Sequence, residues 1–373
     1  MRRFLSILAV IFALALPDAK ANAQQWPVPQ AEFTLDIRYS EAADLFSLMD
    51  NVSNWWEGFT DPGYREEWEA RFGWSEEDQS WARRYAEYRH RTFSDPSQGM
   101  DVATSPHGLF ASAETNAEGS DPLSEHFMAQ PDIATALARL PSAANSQDAR
   151  MLRGFYRHFK PKWEKLLAES APFVKRAEEL KAAIDLERVR PFVALVSRFY
   201  QTQTGGTFQV FFTRFPPGNS SMAEVTAGNS LLLRSPTDWT LETGEWDTIV
   251  MHELVHYISS NQPAALKRAM SDRFLARCPI PAGASRTWMI EEPLAVAIGQ
   301  AAYAKIVLDK PLDRRTNWYA VEWVDLTART MEASVIDALL SGKQLSDTTL
   351  VEEAADRCRD LTALAAQLAP QRD

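Results

Sequence analysis

The sequence predicts an α+β protein that is mainly helical, and three observations support that class. Apolar residues recur at helical spacing through most of residues 40–203. Two runs, 208–215 and 222–234, look like strands joined by a turn at 216–219, where prolines, a glycine and an asparagine cluster. Helical spacing then returns and continues towards the C-terminus. We therefore expect a helical N-terminal region, a small sheet, and a helical C-terminal part.

The first 23 residues have the pattern of a secretory signal peptide. Arg2 and Arg3 precede an apolar run over residues 4–16, and the small-residue pattern Ala21-Asn22-Ala23 follows. This order is typical of a secretory signal peptide, so residues 1–23 are predicted to be cleaved off. The alternative is a membrane anchor, but a membrane-spanning helix needs about 20 apolar residues, which this run does not supply. We expect an exported protein, periplasmic or secreted, without a stable membrane anchor.

The overall charge limits the partners that this chain can have. Its 50 acidic and 39 basic side chains give a formal net charge of −11. Removal of the basic leader would make the mature chain more acidic still. Nucleic acids and anionic membranes attract basic surfaces, so this balance argues against both as partners. A peptide or protein substrate is compatible with it.

Residues 24–203 are predicted to form a helical N-terminal region that is interrupted by one long loop. Residues 33–37 alternate apolar with polar side chains and predict a short strand. Helical spacing covers residues 40–58 and resumes at Ser75, where acidic residues follow a capping side chain. Residues 94–124 lack any periodicity and are rich in Ser, Asp, Gly and Pro, so we expect a flexible surface loop there.

Three prolines are expected to divide the last part of that region. Helical patterning is strong over residues 145–203. Proline lacks an amide proton and clashes with the preceding turn of a helix. We therefore expect three or four helices, with breaks at Pro161, Pro172 and Pro191. Residues 204–373 are then predicted to form the second region, which holds the sheet and the helices after it.

The most specific motif is His252-Glu253-Leu254-Val255-His256. On a helix, positions four apart lie about 40° apart, so both imidazoles project from one face, as a zinc ion requires of two ligands. Glu253 lies about 100° round from His252, where it can act on a water at the metal without ligating the metal. The alternative is an ordinary buried helix with two histidines. Because the chain has only six histidines, this spacing favours zinc.

A hydrolytic zinc site needs a third protein ligand, and no histidine follows His256. The segment 288–295 contains two neighbouring acids directly before Pro293. Proline is favoured at the first position of a helix, so we expect a helix to begin at Pro293 with Glu292 at its cap. These acids could simply complement the helix dipole. Beside the histidine motif, we interpret Glu292 as the third ligand and Glu291 as the second choice.

The two motifs together resemble the gluzincin branch of zinc metallopeptidases. The resemblance covers about residues 208–305 and depends on His252-Glu253-x-x-His256 and on the later Trp-x-x-Glu-Glu-x-Leu-Ala segment. It implies a zincin-like catalytic core with a small sheet, the HExxH helix and a following glutamate-bearing helix. It also implies that His252, His256 and Glu292 bind Zn²⁺ and that Glu253 is the general base. The run 222–233 would then be the sheet edge that holds an extended peptide.

These residues predict an exported zinc-dependent metallopeptidase that hydrolyses peptide bonds. Such a reaction also needs a donor for the developing oxyanion, and Tyr303 and Tyr319 are the two candidates. One alternative is a non-catalytic exported zinc-containing binding or assembly protein. Glu253 argues against it, because a structural zinc site needs no general base. Another alternative is a zinc hydrolase acting on a different bond, since ligands alone do not name a substrate.

Two cysteines, Cys278 and Cys358, follow the histidine motif. In an oxidising compartment they could form one disulfide between the segment after the histidine helix and the C-terminal helix. The sequence does not say whether their α-carbons approach closely enough, and two free buried thiols are the alternative.

Overall fold

The structure is a computed structural model. It describes residues 33–56, 60–92, 121–140, 144–203, 205–217, 222–227, 229–236, 243–278 and 287–368. The predicted signal peptide lies outside these residues, and so does almost all of the predicted loop at 94–124, whose last residues belong to a helix that begins at Pro122. The described residues form one compact unit. A division between residues 24–203 and 204–373 stays a prediction.

Helices make up most of the described chain, with one small sheet among them, as expected. The strands are β1 (Phe33–Tyr39), β2 (Gly206–Phe215), β3 (Met222–Ala227) and β4 (Ser230–Pro236). The helices between β1 and β2 are α1 (Glu41–Ser53), α2 (Pro62–Phe72), α3 (Glu76–Thr92), α4 (Pro122–Met128), α5 (Ile133–Arg139), α6 (Ser146–Leu167), α7 (Ala171–Ala183) and α8 (Leu186–Phe199). The later helices are α9 (Thr243–Ser260), α10 (Ala264–Leu275), α11 (Thr287–Ala295), α12 (Tyr303–Ile306), α13 (Glu322–Leu340) and α14 (Leu350–Leu368).

The sheet has the strand order β1-β2-β4-β3. β2 lies parallel to both β1 and β4, whereas β3 lies antiparallel to β4 at the outside of the sheet. The prediction of one strand over 222–234, joined to β2 by a simple turn, is therefore wrong. The run contains two antiparallel strands instead, and the sequence between them, a glycine followed by Asn229, favours a turn.

Two hydrophobic cores cover the two faces of the sheet. In β2, Phe208, Val210 and Phe212 contribute to one core, and Phe211 and Phe215 to the other. The first core also contains residues of α7 to α14, and the second contains residues of α1 to α6. Helices on both faces are typical of a largely parallel sheet and explain why the two inner strands, β2 and β4, bury apolar side chains on both faces.

The prolines act differently from the prediction. Pro172 lies in the first turn of α7, after a break, as expected. Pro161 and Pro191 lie inside α6 and α8, so the expected breaks there are wrong. One proline removes a single backbone hydrogen bond and bends a helix, and the apolar face of each helix continues across it. In α6, this buried face includes Phe159 before the proline and Trp163 after it.

The C-terminal part contains two helices that position the predicted site. Helix α9 begins at Thr243 and carries the histidine motif. Helix α11 begins at Thr287, so the expectation that a helix starts at Pro293 is wrong, and Glu292 lies inside the helix instead of at its cap. The chain continues from α11 as a π-helical stretch, Val296–Ala302, into α12.

A disulfide joins Cys278 to Cys358, whose α-carbons lie 5.9 Å apart. It links the end of the segment after α10 to helix α14, and both residues are buried. Of the two alternatives for the cysteines, the structure has the disulfide. Among the helices that the structure describes, none combines the length and the apolar character that a membrane span needs.

Candidate metal centre

Helix α9 carries a polar site on the side away from its apolar face. Met251, Leu254 and Val255 are almost completely buried in the first core, where they pack α9 beneath the sheet. His252 is 5% exposed and the His256 side chain 20% exposed. The spacing of four residues brings their Nε2 atoms to 3.1 Å from each other. The apolar face therefore fixes the helix rotation that points both imidazoles the same way.

Glu292 completes a group of three possible metal ligands. Helix α11 packs beside α9. The Glu292 Oε2 atom lies 3.4 Å from Nε2 of His252, and Oε1 lies 3.2 Å from Nε2 of His256. All three donor atoms lie within 4.8 Å of one another. Two imidazoles and one carboxylate in this arrangement could hold a metal ion.

The charges in this group are strongly coupled. Burial alone would raise the pKa of Glu292, but hydrogen bonds and charge interactions with the two imidazoles hold that pKa far below its usual range. Burial likewise opposes the charged form of His256, yet Glu292 outweighs it and raises the pKa of this imidazole to about 9. In the metal-free chain, an imidazolium therefore neutralises the Glu292 carboxylate. A divalent cation would replace that proton, because a ligand histidine must be neutral.

Glu253 and Glu291, the two acids next to the possible ligands, have different surroundings. Glu253 is partly exposed, and its charge acts on His256 and on Tyr319, so it lies beside the group without belonging to it. Glu291 is 7% exposed, and its charge acts on the buried Lys267. The structure thus brings Glu292, and not Glu291, together with the histidines.

The two candidate tyrosines lie in different places. The ring of Tyr319 stacks on the imidazole of His252, with ring centres 5.8 Å apart and an angle of 20° between the planes. Burial, the charge of Glu292 and a hydrogen bond to Glu292 raise the pKa of Tyr319 above its usual range. Tyr303 is buried, and its hydroxyl lies 3.5 Å from Oδ2 of Asp247, near the start of α9. Only Tyr319 contacts the possible ligands directly in these interactions.

Sequence reasoning missed two residues that shape this centre. Gly299, in the π-helical stretch, lies against the backbone of His252. Asp325, in α13, accepts hydrogen bonds from the backbone that carries Tyr319. A glycine inside an apolar helical pattern is the signal that could have pointed to the first, since it indicates a close backbone approach. A buried acid four residues before Arg329 is a weaker signal for the second.

Comparisons with known proteins give no match to this chain, neither among protein-family models nor among curated proteins or solved structures.

Proposed function

We propose that this chain is an exported zinc metallopeptidase that hydrolyses peptide bonds. The observation that carries the proposal is the three-donor group of His252, His256 and Glu292 beside a fourth residue, Glu253, that is not part of the group. This is the set of roles that a hydrolytic zinc site requires: three protein ligands, and a base close to the position they leave open.

The spacing of the donors agrees with zinc. Zinc–nitrogen and zinc–oxygen bonds of about 2.0–2.1 Å at tetrahedral angles place ligand atoms about 3.3–3.4 Å apart. The two histidine Nε2 atoms are 3.1 Å apart, and each lies near one of the two Glu292 oxygens: His256 is 3.2 Å from Oε1 and His252 is 3.4 Å from Oε2. In addition, Glu292 Oε2 is buried and lies 3.4 Å from Nε2 of His252, another possible ligand of the same cation. Other first-row divalent ions accept the same donor types, so metal analysis must include them.

Each residue then has a defined task. A zinc ion held by His252, His256 and Glu292 would supply Lewis acidity towards the scissile carbonyl and the attacking water. Glu253 accepts the proton of that water and passes it to the leaving amine. Tyr319, which lies against His252, is our choice over Tyr303 as the donor to the developing oxyanion. The charge of Glu291 acts on the buried Lys267, and this second acid has no task in the proposed reaction.

The surrounding fold supports a zincin-like core and a peptide substrate. Helix α9 packs under the sheet, and β3 is the outer strand of that sheet on the side of α9. An outer strand offers unpaired backbone groups to which an extended peptide can add. The disulfide between Cys278 and Cys358 supports export, because disulfides persist in oxidising compartments.

The function is tested with the mature chain from residue 24, loaded with zinc and incubated with a library of mixed peptides. We expect cleavage that a chelator abolishes and added zinc restores. The variant Glu253→Gln should bind zinc equally well and lose at least about 100-fold in rate, since a general base contributes about that much or more. A Glu253→Gln variant that cleaves as fast as the wild type would exclude the proposed mechanism. A zinc-loaded wild type that cleaves nothing would instead support the non-catalytic binding protein.

A further inference from the structure

The loop 313–319, which we call the anchored loop, is attached to α13 through Asp325. The Oδ1 atom of Asp325 accepts hydrogen bonds from the backbone N–H groups of Trp318, at 2.6 Å, and Tyr319, at 3.2 Å. Asp325 is only 4% exposed. A buried carboxylate that accepts two consecutive N–H groups holds the backbone in one conformation, because each lost bond would leave a buried polar group without a partner.

Arg329 fixes the first half of the same loop. It pairs with Asp325 at 2.7 Å, and its guanidinium also donates to the carbonyl oxygens of Arg314, at 2.6 Å, and Thr316. It lies over the Trp318 ring, 4.9 Å from the ring centre. One face of α13 thus binds both the N–H and the C=O groups of the anchored loop. This face is made by residues four positions apart on the helix.

The anchored loop ends on the metal centre. Tyr319 stacks on His252, and its hydroxyl interacts with the charge of Glu292, so one side chain acts on two of the three possible ligands. Among the described residues, Nδ1 of His252 is buried and has no hydrogen-bond partner. The stacking on Tyr319 therefore helps to orient this imidazole, which lacks the hydrogen bond that ligand histidines usually form at their second nitrogen.

We propose that Asp325 and Arg329 are positioning residues, which act through Tyr319 to hold His252 and Glu292 in the geometry that binds the metal. The proposal rests on the metal binding of the proposed function, but it does not require that the chain cleave peptides. Ligands that are held in place before the ion arrives lose less conformational freedom on binding it, and the affinity rises accordingly. Partners of this kind typically contribute about 10- to 100-fold to metal affinity.

The test measures zinc affinity by competition with a chelator of known affinity. We compare wild type, Tyr319→Phe, Asp325→Ala and the double variant. Tyr319→Phe keeps the stacked ring and removes the hydroxyl, so we expect about a tenfold loss. Asp325→Ala should lose at least as much, because it releases the whole loop. The double variant should be no weaker than the weaker single variant, since both changes interrupt one chain of contacts.

A control variant tests whether the effect is specific to Asp325, and a substitute variant is available if Asp325→Ala does not fold. Asp337 lies on the same helix as Asp325 and forms an exposed ion pair with Lys343, which follows that helix. Asp337→Asn breaks this pair and should leave zinc affinity unchanged. If Asp325→Ala does not fold, Arg329→Gln takes its place with the same expectation. Wild-type affinity in a folded Asp325→Ala or Arg329→Gln variant would overturn the positioning role. So would a double variant whose loss equals the product of the two single losses. A wild type without metal affinity would overturn both this proposal and the proposed function.

Discussion

Gly299 lies directly against the backbone of His252. A β-carbon at residue 299 would stand 2.5 Å from the His252 Cα atom, 2.6 Å from its nitrogen and 2.7 Å from the carbonyl oxygen of Met251. These are backbone atoms, so no side-chain rotation could make room. Gly299 lies two turns after Glu292 on the same continuous helical segment. The close approach of the two ligand-bearing helices therefore requires glycine at this position.

We expect Gly299→Ala to damage both stability and metal binding. The added methyl group must push the π-helical stretch away from α9, and overpacking of this kind costs about 1–3 kcal/mol. The shift should also move Glu292 relative to the histidines, so we expect zinc affinity to fall at least about tenfold. Urea unfolding and chelator competition measure the two effects.

Gly154→Ala is the matched control for this variant. Its β-carbon would lie 2.4 Å from the ring of Trp81, in the core on the other face of the sheet. The free energy of unfolding should fall, while zinc affinity should stay at the wild-type value. Equal zinc affinity in both glycine variants would mean that the contact with His252 does not position the ligands.

In the metal-free protein, we expect His256 to titrate near pH 9. Its neighbour Glu292 raises its pKa against the effect of burial, so the imidazole stays protonated well above the usual value of 6.5. The variant Glu292→Gln removes the negative charge that favours the imidazolium. Burial, which disfavours the charged form, should then lower the pKa of His256 markedly. NMR titration of the imidazole protons, with His256 assigned by substitution, measures both values. A wild-type pKa near 6.5 would contradict the coupling.

The affinity for zinc should depend on pH because His256 must lose its proton to bind the metal. Protons compete with the metal for His256, so zinc affinity should fall as the pH falls from about 9, and not only below 6.5. Chelator competition at a series of pH values measures this dependence. A zinc affinity that stays constant between pH 9 and pH 7 would contradict it.

The disulfide should contribute much of the stability of the C-terminal part. Cys278 and Cys358 are 80 residues apart in sequence, and closing a loop of that size stabilises a fold by about 3–5 kcal/mol. We expect the double variant Cys278→Ala, Cys358→Ala to lose about that much in urea unfolding. Denatured wild type should contain no free thiol, and two titratable thiols would contradict the bond.

Asp78 should support the fold against acid. Burial alone would raise its pKa, but hydrogen bonds to Lys162, Ser75 and His158 lower it to about 2. Because the folded pKa lies below the ordinary aspartate value of 3.8, this stabilisation is present above that value and is lost as the pH falls towards 2. We expect Asp78→Asn to cost about 1–3 kcal/mol at pH 7. The difference from wild type should shrink between about pH 4 and pH 2.5; a constant difference would contradict this role.

The sequence was most informative where the structure depends on local spacing. The four-residue interval of the two histidines predicts that both imidazoles project from one face of α9, and their Nε2 atoms lie 3.1 Å apart. The resemblance and the expected helix start at Pro293 favour Glu292 over Glu291 as the third ligand; the structure places Glu292 with the histidines although that helix start is wrong. The start of α11 could not be predicted from the sequence. Packing against α9 and α13 stabilises helical turns before Pro293 that helix propensity alone does not favour.

The features that sequence analysis missed depend on contacts between distant residues. The parallel pairing of β1 with β2 joins Thr34 to Thr207 across 173 positions, and no local pattern specifies it. The anchoring of Tyr319 by Asp325 depends on how a loop folds back onto the helix after it. The sequence could not distinguish Tyr303 from Tyr319, because it does not show which residue each hydroxyl group contacts.

The most direct test of the central claim is the zinc content of the purified mature protein, measured with all first-row metals for wild type, Glu292→Ala and Glu291→Gln. We predict about one zinc per chain in the wild type and in Glu291→Gln, and little or none in a folded Glu292→Ala variant. A wild type that holds no zinc after reconstitution, or a Glu292→Ala variant that keeps its full zinc, would contradict the three-ligand site.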